Sequence, residues 1–273
     1  MKVVIFCGGL GLRMRDAGPT IPKPMVPISN KPILWHIMKY YAHFGHTEFI
    51  LCLGHKAEVI KEFFLNYNEA LTNDFVLSDG GRQIELLNSD IHDWHITFLN
   101  TGLKATIGER LRAAERLIGD DDVFLATYGD GLTDAPLPEM ISALEKRGKT
   151  ACFLCVRPKS YSFHSVALKD GDVVAGFQDV AKADIWINGG FFVLRKDVFD
   201  VMDSGEDLIG PPFERLIERD EVIGFKYEGF WAPMDTLKDK HNLDALVESG
   251  QPPWQVWELE EEEDAPEFAG TPD

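Results

Sequence analysis

The chain has 273 residues and carries 45 acidic against 27 basic side chains, a net charge of −18. Apolar residues make up 45% and aromatics 11%, which supports a sizeable core and excludes a disordered chain. The charge weighs against nucleic acid and anionic membrane surfaces as partners, and no apolar run approaches the ~20 residues of a membrane helix.

Residues 2–7 form a short β-branched run that reads as a buried strand. The run breaks at Gly8-Gly9 and leads into Arg13 and Arg15 without a small-residue cleavage pattern, so it is not read as a signal peptide and a cytoplasmic location is expected. Ser29-Asn30-Lys31-Pro32 introduces a helix that runs to about Phe44 and closes at Gly45. A strand over Phe49–Leu53 and a helix from about Ala57 to Asn66 follow. Residues 75–100 read as a β-rich insertion. A helix over 109–118, a strand over 123–127, a helix over 137–147 and a strand over 150–156 continue the alternation. Cys152 and Cys155 have CxxC spacing, but i and i+3 on a strand point to opposite faces, so no metal or redox role is expected. Strands are expected at 164–169, 172–177 and 186–194, then two helices and a strand, and a last helix from about Thr236 to Glu248.

Alternating apolar strands and amphipathic helices predict an α/β fold with a mostly parallel sheet covered on both faces. No repeat or flexible linker divides residues 1–257, which read as one domain. Residues 258–273 hold eight acids and no base, an acidic tail expected to be disordered. Residues 1–47, by contrast, carry six basic groups and one acid. A basic N-terminus on an acidic protein points to a local anion site, with Arg13, Lys23 and Lys31 as its charges.

Five segments carry candidate chemistry. Gly8-Gly9-Leu10-Gly11-Leu12-Arg13 follows the first strand, where glycines let backbone N–H groups approach phosphate oxygens and an arginine adds a charged fork. The same residues also suit an ordinary βα turn, and the spacing is neither GxGxxG nor a P-loop. Pro22-Lys23-Pro24 restrains a lysine between two prolines, which suits a fixed charge on a phosphate. Tyr128-Gly129-Asp130-Gly131 ends a strand with a carboxylate between glycines, a common Mg²⁺ arrangement, and Asp130 with Asp134 resembles the metal-binding carboxylates of glycosyltransferases. In Phe230-Trp231-Ala232-Pro233-Met234-Asp235, Asp235 reads equally as a helix N-cap or as a site carboxylate. Asn188-Gly189-Gly190 interrupts an apolar strand, either as a structural bulge or as an approach for a ligand hydroxyl.

These segments together resemble sugar-phosphate nucleotidyltransferases. Lys31-Pro32-Ile33-Leu34-Trp35-His36, Tyr128-Gly129-Asp130-Gly131, Ile187-Asn188-Gly189-Gly190 and Phe230-Trp231-Ala232-Pro233-Met234-Asp235-Thr236 are most similar to the glucose-1-phosphate cytidylyltransferase branch. The resemblance covers residues 1 to about 257. It implies a Rossmann-like, GT-A-like fold and Mg²⁺-dependent transfer of a nucleotidyl group, CMP from CTP first among the choices, to a sugar 1-phosphate, with pyrophosphate leaving. A homo-oligomer is expected, and no nucleic-acid or membrane partner.

By resemblance, Arg13 and Lys23 are the catalytic cations, and Asp130 and Asp235 hold Mg²⁺. Gly8, Gly9, Leu10, Gly11, Gly108 and Arg110 contact the nucleotide. Tyr128, Asn188, Gly189 and Lys182 face the sugar. The sequence departs from the family at Leu12, where a threonine is usual, at Ile107-Gly108-Glu109-Arg110-Leu111 near the base, and at Asp179-Val180-Ala181, where the family has Glu-Lys-Pro. Lys182 stands in for that lysine, displaced by two residues or ~6–7 Å along an extended chain. The acceptor is therefore left open. The alternative reading is a catalytically weakened, nucleotide-binding regulatory homologue.

Overall fold

The computed structural model describes residues 1–9, 21–158, 164–179 and 184–257. The first strands are β1 (Val3–Phe6), β2 (Pro27–Ile28), β3 (Lys31–Pro32), β4 (Glu48–Leu53), β5 (Phe75–Ser78), β6 (Gln83–Leu86) and β7 (His95–Asn100). Next come β8 (Val123–Tyr128), β9 (Gly131–Thr133), β10 (Ala151–Val156), β11 (His164–Lys169) and β12 (Val173–Asp179). The last are β13 (Ile187–Arg195), β14 (Val222–Tyr227) and β15 (Trp231–Pro233). The helices are α1 (Ile33–His43), α2 (Ala57–Leu65), α3 (Ile107–Ile118), α4 (Leu137–Arg147), α5 (Pro211–Glu218) and α6 (Leu237–Glu248).

The central sheet has seven strands in the order β14-β10-β13-β8-β1-β4-β7. β1 pairs in parallel with both β4 and β8, and β4 with β7, while β13 runs antiparallel to both of its neighbours. Alternation along each strand divides the core into two layers. Val3, Ile5, Leu51, Leu125 and Cys152 point toward α1, α4 and α6; Val4, Phe6, Ile50, Phe124 and Phe192 point toward α3 and α5. The fold is α/β with a mostly parallel sheet, helices on both faces and small β-rich excursions.

Local chemistry fixes the helix starts. Thr106 and Glu109 form a reciprocal capping box on α3, and Thr236 and Asp239 form one on α6. The second box settles the reading of Asp235, since Thr236 is the cap and Asp235 stands just before the helix. One expected boundary changes. Residues 95–100 are not part of an insertion but form β7, the edge of the main sheet. Of the expected insertion, only β5 and β6 stand apart as a ribbon. Cys152 packs in one core layer, all four cysteines are free, and no helix among the described residues is long and apolar enough to cross a membrane. The acidic tail lies outside the described residues.

A buried aromatic cluster ties the chain's far end to α1. The Trp254 indole donates to His36 Nδ1 at 3.4 Å, and His36 Nε2 lies 3.4 Å from the Ile28 carbonyl. A neutral imidazole protonated on Nε2 satisfies both. Burial, with a smaller contribution from Lys31, pushes the His36 pKa down from 6.5 to about 4. The folded state therefore disfavours the imidazolium. Stability from this site is complete above pH ~6.5 and is lost as pH falls toward 4, by up to about 3 kcal/mol. Urea unfolding at pH 7 and pH 4.5 should show this loss for the wild type and a shallower pH slope for His36→Gln. Equal slopes in the two proteins would exclude His36 as the source.

Candidate functional site

Open α/β sheets bind ligands at the carboxyl ends of strands where the topology switches direction. Here that point lies between β1 and β8, since the chain continues from β1 outward to β4 on one side and later returns to β8 on the other. Gly8-Gly9 leaves β1 there, and Tyr128-Gly129-Asp130 leaves β8.

Lys23 sits in a single 3-10 turn, Lys23–Met25, closed by the Met25 amide on the Pro22 carbonyl at 2.8 Å. The turn docks against the end of β8 because Gly129 carries no side chain. A Cβ at Gly129 would lie 3.1 Å from both the Phe6 carbonyl oxygen and Pro24 Cγ. This close approach brings the Lys23 ammonium to 2.6 Å from Asp130 Oδ2 and 2.5 Å from Asp235 Oδ1.

The two carboxylates, far apart in sequence, meet through a three-residue ribbon. β15 pairs antiparallel with β9 in the register Pro233 to Gly131, and the Met234 amide donates to the Asp130 carbonyl at 2.8 Å. Asp134 locks the other end of the ribbon by accepting from Tyr227 Oη at 2.6 Å and from the Phe230 amide at 2.8 Å. Asp134 is thus committed to the ribbon and separated in role from Asp130. Burial alone would lower the Lys23 pKa. The charge and hydrogen bond of Asp130, followed by those of Asp235, outweigh it and raise the pKa above the usual lysine value. The lysine stays charged.

Arg110 and Gly108 lie one layer below. Arg110 is 3% exposed. Its terminal nitrogens donate to the Gly8 carbonyl at 2.9 Å, the Leu53 carbonyl at 3.2 Å and Thr101 Oγ1 at 2.5 Å. It therefore pins together the ends of β1, β4 and β7 at the root of the glycine loop. A Cβ on Gly8 would fall 2.0 Å from this guanidinium. Gly108 packs against backbone, with a Cβ position 2.3 Å from the Glu206 carbonyl oxygen, so its small size serves the docking of α3 on residues 206–208. Lys31, expected among the anion-binding charges, is instead buried. It contacts Tyr67 and pairs with Asp90 at 3.1 Å, its ammonium 4.8 Å from the Trp35 ring centroid. Its charge is spent inside the protein.

On the other side of β8, Tyr128, Asn188 and Gly189 come together. The Asn188 amide nitrogen lies 3.5 Å from Tyr128 Oη, and its oxygen accepts from the Gly190 amide at 2.9 Å. Gly190 has φ +83°, and a Cβ there would fall 2.3 Å from the Tyr128 ring. Only glycine permits that conformation and that contact. Burial is the largest influence on the Tyr128 hydroxyl and, with the Asp207 and Asp130 charges, pushes its pKa up to about 12. It remains a hydrogen-bond donor. Trp231 donates its indole N–H to the Gly189 carbonyl at 2.8 Å and so joins the ribbon to this half of the site. Burial pushes the thiols of Cys7 and Cys52 up, which leaves no activated cysteine nucleophile beside the glycine loop. Leu10, Gly11, Arg13 and Lys182 lie outside the described residues.

Among the described residues no cluster of three or more His, Cys, Asp or Glu side chains is placed to hold a metal. Asp130 and Asp235 nevertheless form a pair of hard oxygen donors already converging on one cation. That pair suits Mg²⁺, which is often held by one or two carboxylates with substrate phosphates completing its shell.

Residues 2–242 match the family model described as Nucleotidyl transferase. A glucose-1-phosphate cytidylyltransferase of Salmonella typhimurium (strain LT2) is 39% identical over 260 residues, covering 94% of this chain and 100% of that protein. A probable glucose-1-phosphate cytidylyltransferase of Bacillus subtilis (strain 168) is also 39% identical, over 259 residues and with the same coverage. Among solved structures, a UDP-glucose pyrophosphorylase complexed with UDP-glucose matches in fold with a TM-score of 0.66 at 17% identity, covering 92% of this chain and 99% of that one. With the whole-length likeness to the two bacterial proteins and a sheet switch point lined by glycines, a caged lysine and paired carboxylates, the chain belongs to the nucleotidyl transferase family of enzymes.

Proposed function

We propose that this enzyme transfers CMP from CTP to a hexose 1-phosphate, releasing pyrophosphate and a CDP-sugar. The observation that carries the reading is the convergence of Lys23, Asp130 and Asp235 at the sheet's switch point, in a chain 39% identical over nearly its whole length to a glucose-1-phosphate cytidylyltransferase. A sugar-phosphate oxygen attacks the α-phosphorus in line, and the bond to pyrophosphate breaks. Such chemistry depends on positioning and charge neutralisation and needs no protein nucleophile. Asp130 and Asp235 would hold Mg²⁺, which when bound supplies positive charge to the triphosphate.

In this reading the protein's own groups divide the work. Lys23 holds a fixed positive charge beside the carboxylates and, with Arg13, neutralises the departing pyrophosphate. Gly8 and Gly9 allow the triphosphate to approach the backbone, on a loop whose root is set by Arg110. Tyr128 and Asn188 offer hydrogen bonds to sugar hydroxyls next to Gly189, with Lys182 on the acceptor phosphate. Pyrophosphate release measured across CTP, UTP, dTTP and GTP with a panel of hexose 1-phosphates is expected to be highest with CTP. Release from none of these pairs, together with tight CTP binding, would favour the regulatory alternative.

Self-association belongs to the same proposal. The β5–β6 ribbon exposes Phe75, Val76, Leu77, Ile84 and Leu86 without an outer sheet partner, an apolar surface typical of an interface. Sedimentation should give a dimer or a larger species, and Leu77→Asp combined with Ile84→Asp should dissociate it. A wild-type monomer at micromolar concentration would end this part of the reading. The four free thiols suit a reducing compartment, in keeping with the expected cytoplasmic location.

A further inference from the structure

Next to the Tyr128–Asn188 pair, a cavity of about 240 Å³ opens between β10, β13 and α5. Phe153, Phe213, Ile209 and Ile217 give it apolar walls, and Asn188 and Glu214 are its polar side chains. Two of those walls are large apolar groups left in contact with solvent, Ile209 at 42% exposure and Ile217 at 61%. The volume falls below the ~300 Å³ at which pockets for drug-sized molecules begin. It suits a single ring and is too small for a nucleotide.

Among the described residues, the one charged side chain that lines the cavity is the Glu214 carboxylate, and no lysine or arginine does. The nearest guanidinium on α5, Arg215, is held bidentate by Glu206 at 2.6 and 2.7 Å and is also paired with Asp203 at 3.1 Å. Glu214 contributes a carboxylate, and Asp207 lies close enough to Tyr128 to act on its hydroxyl. An anionic group entering here would meet carboxylates and, among the described residues, no available cation. A pyranose with an apolar face and hydroxyl or amino substituents would meet aromatic and aliphatic walls, an amide and carboxylate acceptors.

We infer that this cavity is a specificity subsite of the acceptor, receiving the part of the sugar ring remote from its phosphate. It selects neutral or amino-bearing hexoses against rings that carry a carboxylate or a second phosphate. Asn188 is the link, because it lines the cavity and bonds Tyr128 at the same time. The inference rests on the proposed function, whose acceptor it specifies, and it makes Glu214 a specificity residue for that acceptor.

Binding separates the two. Calorimetry on the full chain, with and without CTP, would use glucose 1-phosphate, glucosamine 1-phosphate, glucuronic acid 1-phosphate and glucose 1,6-bisphosphate. The wild type should bind the first two at least about tenfold more tightly than the acidic pair. Glu214→Lys should narrow that ratio to about threefold or reverse it. Ile217→Trp, which fills an exposed edge of the cavity without touching the buried core, should weaken every sugar phosphate about tenfold and leave CTP affinity within about twofold. The subsite is overturned if the wild type does not discriminate against the acidic sugars, if neither substitution changes sugar binding, or if no sugar phosphate binds. The expected binding pattern without pyrophosphate release would uphold the subsite and overturn the transfer reaction.

Discussion

Asp130→Asn should lower pyrophosphate release by about 10²–10³-fold while leaving the fold intact, because it removes a charge at the proposed site of the reacting triphosphate and almost no volume. The backbone of Asp130 anchors the β9–β15 ribbon through its carbonyl, which accepts from the Met234 amide whatever the side chain is. The variant should therefore stay folded, with a urea midpoint lowered only by the loss of one of the two charged partners of Lys23. CTP binding measured without divalent metal should change by less than about fivefold, since the proposed function assigns the nucleotide's backbone contacts to the glycine loop. Loss of binding equal to the loss of turnover would place Asp130 in uniform substrate binding and not in stabilisation of the transition state.

Lys23→Met should have a comparable effect on turnover and an additional one on the resting protein. The ammonium lies between two carboxylates whose side chains are 34% and 29% exposed, while Lys23's own is 14% exposed. Removing it leaves two like charges close together in a partly desolvated site, a loss of about 2 kcal/mol. For a chain of this size that corresponds to a melting temperature lower by about 3–4 °C. The sign of the pH dependence follows from the raised lysine pKa. The ammonium's contribution is present throughout the range below ~10.5 and is lost only as pH rises through its folded value. Millimolar Mg²⁺ should restore more of the melting temperature in Lys23→Met than it adds to the wild type, because the variant offers both carboxylates without a competing ammonium. An equal Mg²⁺ shift in the two proteins would count against Asp130 and Asp235 as the metal pair.

Much of this arrangement was legible from the chain alone, for reasons that can be located. The β1 run and the long helices have strong periodicity, and glycine or proline punctuates nearly every expected boundary. Lys23 stood out because prolines flank it, and Asp130 because glycines do. The meeting of Asp130 with Asp235 was anticipated only through the family resemblance and was not legible in the local pattern. It depends on β9 and β15, strands of three residues each, too short to show any alternation. Trp231 could not be assigned for the same reason, since its partner is a backbone carbonyl in a different strand.

Charge counting misled at Lys31. A lysine near a basic N-terminus looks available in sequence, yet Asp90 and Tyr67, from far along the chain, and the nearby Trp35 ring enclose it. β7 was hidden inside an apparent insertion because it alternates apolar with polar like a surface strand, as the edge of a sheet does. Arg110 was marked by resemblance as a nucleotide contact. Its three acceptors at three strand ends give it a role in shaping the loop that no local pattern announces.

The position of β13 also has a consequence for how the molecule is made. As the chain is synthesised, β1, β4, β7 and β8 are complete by residue 128 and can already form a four-stranded parallel half-sheet. β10 emerges next but has no place in it, since β13 must be inserted between β10 and β8. Until residue 195 has left the ribosome, β8 presents an open edge and β10 is unpaired, a state prone to wrong strand pairing. The glycine-loop side of the cleft is thus laid down first and the Asn188 side last. A nascent chain halted between the two should recruit chaperones most strongly, and slow codons just after β10 would prolong that exposure.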